Sequence, residues 1–116
     1  MQNRDEKTEK AYREYVKTLP KDYNFLLEKK PDEEFRYWAI RHNDYPYAIY
    51  NGKEVIEHLL LYPKKQTTLF NRLSMPELEE YADIVTKKTK KYTLVLNPYK
   101  SQSVKYHLHF HLIKTL

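Results

Sequence analysis

The segment His107-Leu108-His109-Phe110-His111-Leu112-Ile113 constrains this chain most. Histidine occupies every second position and large apolar residues fill the gaps. Period-two alternation is the pattern of a β-strand. The three imidazoles are therefore expected on one face, with Leu108, Phe110 and Leu112 on the other. An aligned row of imidazoles is costly to bury without partners. It suits proton transfer, nucleophilic attack or metal binding.

The 116 residues suit one domain burying roughly 65% of its unfolded surface. A single glycine, Gly52, excludes the glycine-rich phosphate loops of Walker or dinucleotide type. The absence of cysteine removes disulfides, thiol nucleophiles and Cys-ligated zinc, and fits a reducing compartment. No apolar run approaches a membrane span, and Met1 to Lys10 lacks the apolar core of a signal peptide, so a cytoplasmic location and no membrane partner are expected. The net charge of +5, with lysines at 64–65, 87–88 and 90–91, favours phosphate-bearing partners unless it is only a solvated surface. The 12 tyrosines fit the edges of a core better than base stacking.

Along the chain, Arg4 to about Thr18 reads as a charged helix with Ala11, Tyr12, Tyr15, Val16 and Leu19 on a narrow stripe, ended by Pro20. Phe25-Leu26-Leu27 fits a strand or a helical turn, and Lys29 to Glu34 a loop. Phe35 to Arg41 reads as a strand, and Asn43-Asp44-Tyr45-Pro46 as a turn. Tyr47 to Tyr50 forms a short strand before an Asn51-Gly52 hairpin turn. Glu57 to Tyr62 reads as a central strand stopped by Pro63. Ser74-Met75-Pro76-Glu77 is a capping box, stapled by Leu73 and Leu78, and opens a helix whose face is Leu78, Tyr81, Ala82 and Val85. Tyr92 to Leu96 is a further strand, and a loop from Asn97 to Gln102 leads to the histidines. Strands joined by short connections predict an antiparallel sheet in an α+β domain.

The segment His107 to Ile113 resembles the signature of the histidine triad (HIT) superfamily, His-φ-His-φ-His-φ-φ with φ apolar, at every position. Other pieces follow in the family's order. Trp38-Ala39-Ile40 and Asn43-Asp44-Tyr45-Pro46-Tyr47 resemble its early strand and turn. His58-Leu59-Leu60-Leu61-Tyr62-Pro63-Lys64-Lys65 resembles its His-φ-φ-φ-x-Pro-Lys strand end. Leu73 to Tyr81 is similar to the helix that follows, and Asn97 with Gln102-Ser103-Val104 to the loop before the triad.

The resemblance spans about residues 35 to 114 and implies an N-terminal helical extension over residues 1–34 and a HIT-like domain over 35–116. It implies a sheet of roughly five antiparallel strands, a homodimer, and hydrolysis or transfer at the α-phosphorus of nucleotides. Purine nucleoside phosphoramidates and dinucleoside polyphosphates are the implied substrates. By the same resemblance His109 is the nucleophile that carries a nucleotidyl intermediate. His107 and His111 hold the phosphate and orient it, and His58 lies near the triad. Asn43 contacts ribose, while Asn97 and Gln102 contact phosphate or leaving group. Two departures stand in the loop: it carries Pro98-Tyr99-Lys100-Ser101 where the family is rich in glycine, and Ser103 occupies the position of a glutamine, leaving that phosphate contact to Gln102 or Ser103. No cofactor or metal is implied. A nucleotide- or nucleic-acid-binding module of the same fold with little catalysis is the alternative, and a histidine metal site a third reading. His42 reads as a surface histidine.

Overall fold

The computed structural model describes residues 4–18, 25–68, 70–96 and 107–116. Its helices are α1 (Glu6–Thr18), α2 (Phe25–Glu28) and α3 (Met75–Lys88), with a 3-10 turn at Phe70–Arg72. Its strands are β1 (Glu33–Glu34), β2 (Trp38–His42), β3 (Ile49–Tyr50), β4 (Lys53–Pro63), β5 (Thr93–Val95) and β6 (Phe110–Thr115). The sheet runs β1-β2-β4-β6-β5, with β3 hairpinned onto β4, and every pairing among the described residues is antiparallel. This is the α+β architecture that the alternation of elements predicts. No helix among the described residues is long and apolar enough to cross a membrane.

The local signals explain most elements. Asn51 and Gly52 both adopt positive φ, 51° and 74°, as a two-residue hairpin turn requires, and glycine takes this region at no steric cost. At α3 the Ser74 hydroxyl accepts from the Glu77 amide at 3.4 Å, and the Glu77 carboxylate accepts from the Ser74 amide at 2.9 Å. The capping box is therefore formed, and Pro76 adds a residue pre-set for the first turn.

α3 lies on one face of the sheet. There Trp38, Ile40, Leu59, Leu61, Leu108, Phe110 and Leu112 form a core with Leu73 and Ile84. Trp38 has no exposed surface, donates its indole N–H to the Glu77 carbonyl at 2.8 Å, and packs on Tyr81. The Glu80 carboxylate accepts from the amides of Tyr37 and Trp38 at 2.7 and 3.0 Å, which fixes the start of β2 to the helix. On the opposite face Leu26, from α2, covers Ala39, Leu60 and Tyr62. Leu26 thus belongs to a helical turn, one of the two states its sequence allows.

β4 begins at Lys53, four residues before the expected Glu57, and three further boundaries differ for readable physical reasons. Glu33–Glu34, read as loop, adds a two-residue strand to the sheet edge, where two charged residues give no periodicity to read. The strand expected at Phe35 to Arg41 is displaced to Trp38–His42, because Phe35 turns back to bond the Trp38 carbonyl through its amide. The histidine strand shifts most: the ladder covers Phe110–Thr115, and His107 to His109 precede it. Pro63 supplies the reason. The carbonyl of His58 and the amide of Lys64 bond toward β2, so past the irregularity between Val55 and Glu57 the even-numbered residues of β4 face that strand. Odd-numbered residues, Pro63 among them, face β6. Proline has no N–H to donate, so the β4–β6 ladder ends at Leu61 opposite Phe110. Leu108 instead donates its amide to the Thr67 carbonyl at 2.6 Å.

Candidate active site

The alternation of faces survives the shift in ladder. Leu108, Phe110 and Leu112 enter the α3 core, and His107, His109 and His111 lie on the other side of the sheet. All three imidazoles are buried, at 5% exposure or less, as is His58 at 2%. Register brings His58 to them. His58 pairs with Ile113 and Leu60 with His111, so His58 and His111 are diagonal neighbours on one face of two adjacent strands. Their rings meet at 2.7 Å, His58 Nε2 to His111 Nδ1.

The hydrogen bonds assign the protons. The Tyr47 amide donates to His58 Nδ1 at 3.1 Å, so the proton of neutral His58 sits on Nε2 and donates to His111 Nδ1. His111 then carries its own proton on Nε2. His109 is set the other way: its Nδ1–H donates to the His107 carbonyl at 3.0 Å, which leaves the lone pair on Nε2. His107 directs Nε2–H to the Pro63 carbonyl at 2.5 Å, occupying a group that the end of the ladder leaves without a strand partner. The histidines thus form two oriented units: a donor relay through His58 to His111, and a basic nitrogen on His109 anchored by the backbone of His107. The rings of His109 and His111 stand edge to face with centroids 5.6 Å apart.

Burial holds all four rings neutral, because a charged imidazole loses its hydration there. The effect is largest for His58, pushed down to about 3, and His111, pushed down to about 2; desolvation leads in both. For His58 the Arg4 guanidinium adds to it, and for His111 His58, His109 and Arg4 do. His107 and His109 are lowered too, chiefly by burial, and the carbonyls that accept their N–H groups oppose the shift.

Asn43 stands beside this cluster at the end of β2. Its amide nitrogen lies 3.5 Å from His58 Nε2, and its oxygen accepts from the Tyr45 amide at 2.9 Å. Both facing nitrogens carry hydrogen, so the 3.5 Å approach is a contact and not a hydrogen bond. Asn43 and His58 also line a cleft of about 220 Å³ with His42, Pro46, Tyr47, Val55, Ile56 and Glu57. Asn97, Gln102 and Ser103 lie outside the described residues. His42 is exposed and pairs with Asp32, Nδ1 to carboxylate at 2.9 Å. Among the described residues no three His, Asp or Glu side chains converge as a metal-ligand set.

Sequence reasoning missed two residues. Tyr47 donates its amide to His58 and lays its ring against both partners of the relay, 4.5 Å from His58 and stacked 5.7 Å from His111. Its place in the Asn-x-x-Pro-Tyr turn was the available signal. Arg4 reaches the same turn from the start of the chain, donating Nε–H to the Tyr45 carbonyl at 2.6 Å, and no local pattern marks it.

No protein-family model and no curated protein matches the chain. Solved structures do. A "Hit Like Protein" aligns over 91% of this chain and 98% of its own, at 20% identity with a TM-score of 0.57. A HIT family hydrolase from Clostridium thermocellum aligns over 94% of this chain and 88% of its own, at 20% identity with a TM-score of 0.54. With the sheet order, the helix on one face and the histidines on the other, these likenesses identify the fold of this chain as HIT-like.

Proposed function

We propose that this chain is a nucleotide phosphate hydrolase or nucleotidyl transferase, with His109 as nucleophile. One observation carries the reading: His109 is buried, neutral and anchored through Nδ1–H, with its Nε2 lone pair beside a donor relay that ends at His111. Nε2 attacks the α-phosphorus, the P–N bond forms, and the bond to the leaving group breaks with its electron pair. Positive charge that builds on the imidazole is met by the His107 carbonyl. Negative charge on the non-bridging oxygens is met by His111 Nε2–H, polarised through His58. Water or another acceptor then attacks phosphorus, its proton passing to solvent, and the P–N bond breaks with its electron pair on Nε2, returning neutral His109.

His107 acts in this scheme through its carbonyl and through packing, His58 through His111. Asn43, on the wall of the 220 Å³ cleft, takes the ribose. Asn97 and either Gln102 or Ser103 contact phosphate or leaving group. The substrates are purine nucleoside phosphoramidates or dinucleoside polyphosphates, handled by a homodimer. The HIT family hydrolase of like fold supports the reaction class.

A panel of labelled nucleotides, turned over by wild type and by His109→Ala, tests this. Turnover by wild type and its loss in the variant are expected, with a labelled nucleotidyl adduct trapped on wild type alone. Equal turnover by the two proteins would sink the reading.

A further inference from the structure

Arg4, just before α1, reaches the segment that carries the histidine-site donor. Asp5 caps the helix, its carboxylate accepting from the Thr8 amide at 2.7 Å, and so fixes the residue before it, Arg4. The Arg4 side chain is 14% exposed. Its guanidinium lies over two rings, 4.3 Å from the centre of Tyr12 and 5.3 Å from that of Tyr47, while Nε–H bonds the Tyr45 carbonyl and a terminal nitrogen meets Glu9 at 3.4 Å. Tyr12 and Tyr15 close on Tyr45 from the same helix, with centroids 5.5 and 5.3 Å away. The segment Arg4 grips is the one that carries the Tyr47 amide, the donor to His58 Nδ1.

We propose that Arg4 is a positioning residue of the histidine site: it clamps the Tyr45–Tyr47 segment and thereby sets the direction of the hydrogen bonds through His58 to His111. If the Tyr47 amide moves away, His58 Nδ1 loses its donor and the ring is released to either tautomer. In the reversed tautomer His58 Nε2 is an acceptor, His111 must place its proton on Nδ1 to meet it, and His111 Nε2 presents a lone pair where phosphate needs a donor. A guanidinium seated over two rings together with a directed Nε–H bond suits arginine and not lysine. The positive charge also opposes protonation of the pair, as its effect on both rings indicates. The N-terminal helix is by this reading part of the site and not an appendage.

The test uses the full chain with ¹⁵N-labelled histidine at pH 7.5. In wild type, His58 and His111 are expected to show protonated Nε2 and unprotonated Nδ1, and the Tyr47 amide to exchange slowly. Arg4→Gln should mix the two tautomers of His58 and speed Tyr47 amide exchange by about tenfold or more. It should also lower kcat with KM little changed. Arg4→Lys keeps the cation without the fork and should fall between the two. It serves alone should Arg4→Gln not fold. A folded variant with lowered Tm but wild-type tautomers and wild-type Tyr47 exchange would overturn the proposal, since a merely structural Arg4 predicts that result. The kcat arm rests on the nucleotidyl-transfer reading above. The NMR arms do not, so a wild-type rate in His109→Ala would remove that reading and leave this one standing.

Discussion

Trp38 and His111 are both buried, at 0% and 5% exposure, on opposite faces of the same sheet. Trp38 sits among apolar side chains under α3, and its one polar atom is satisfied by a helix carbonyl. His111 sits among other imidazoles under a tyrosine, and which of its nitrogens carries the proton is set by where its neighbour's proton lies. The α3 face gains its free energy from area and packing, which tolerate small displacements. The histidine face places polar rings largely out of water. It is satisfied only when every hydrogen bond runs in one direction. One sheet thus carries a stabilising face and a face whose burial serves reactivity.

The sharpest way to break that contrast is a pair of substitutions. Trp38→Ala should lower unfolding free energy by about 3–5 kcal/mol, the cost of a large vacated core site, with the rate per folded molecule little changed. His109→Ala should cost much less stability, because the His107 carbonyl it exposes is a single acceptor, yet should reduce turnover by about 10³-fold or more. Urea denaturation and a nucleotide turnover assay on both proteins read this. If His109→Ala destabilises as strongly as Trp38→Ala, the two faces do not differ in kind.

Acid sharpens the contrast next. In the unfolded chain histidine titrates near 6.5; in the folded protein burial holds His58 down at about 3 and His111 at about 2. Below 6.5 the unfolded chain therefore takes up protons that the folded protein refuses. Stability is full above about 6.5 and is lost as pH falls toward the folded values. Both folded values lie well below 5, so each ring contributes about 2 kcal/mol between pH 7.5 and pH 5, and the expected loss for the two is about 4 kcal/mol. His107 and His109 change stability in the same direction. Most carboxylates titrate below this window, so a urea midpoint equal at pH 5 and pH 7.5 would mean that the imidazoles are not held neutral by burial.

The two faces also differ in how far the sequence reveals them. Under α3 the signals are local. The capping box at Ser74 and the Asn51-Gly52 turn each act within a few residues and produce the element they predict, and the alternation of Leu108, Phe110 and Leu112 gives the face that meets α3 although the ladder starts only at Phe110. The histidine face is only half legible. Alternation gives the side on which the imidazoles lie, and the family pattern points to His58. The proton directions depend on partners far along the chain: Tyr47 on His58 across 11 residues, Pro63 on His107 across 44, Arg4 on Tyr45 across 41. Pro63 illustrates the limit. As a strand terminator it is readable, but its effect on β6 appears only once the register makes it face that strand. The edge strand at Glu33–Glu34 was missed for a related reason, since pairing with Ala39 and Ile40 creates it and no propensity of its own does.

The smallest expected effect tests how local the α3 face is. Ser74→Ala removes the hydroxyl that accepts from the Glu77 amide, the longer contact of the box at 3.4 Å, and leaves the 2.9 Å bond from the Ser74 amide to the Glu77 carboxylate intact. N-cap replacements by alanine cost about 0.5–2 kcal/mol, and keeping the shorter bond places this one toward the lower end. The loss should appear in the urea midpoint at an unchanged slope, and it should be the same at pH 7.5 and pH 5, because the cap faces away from the imidazoles and shares no hydrogen-bond partner with them. Distant sites that share no partner add in free energy. A Ser74→Ala loss that grows in acid would show that α3 and the histidine face are coupled through the sheet, and that the stabilising face also helps to hold the imidazoles neutral.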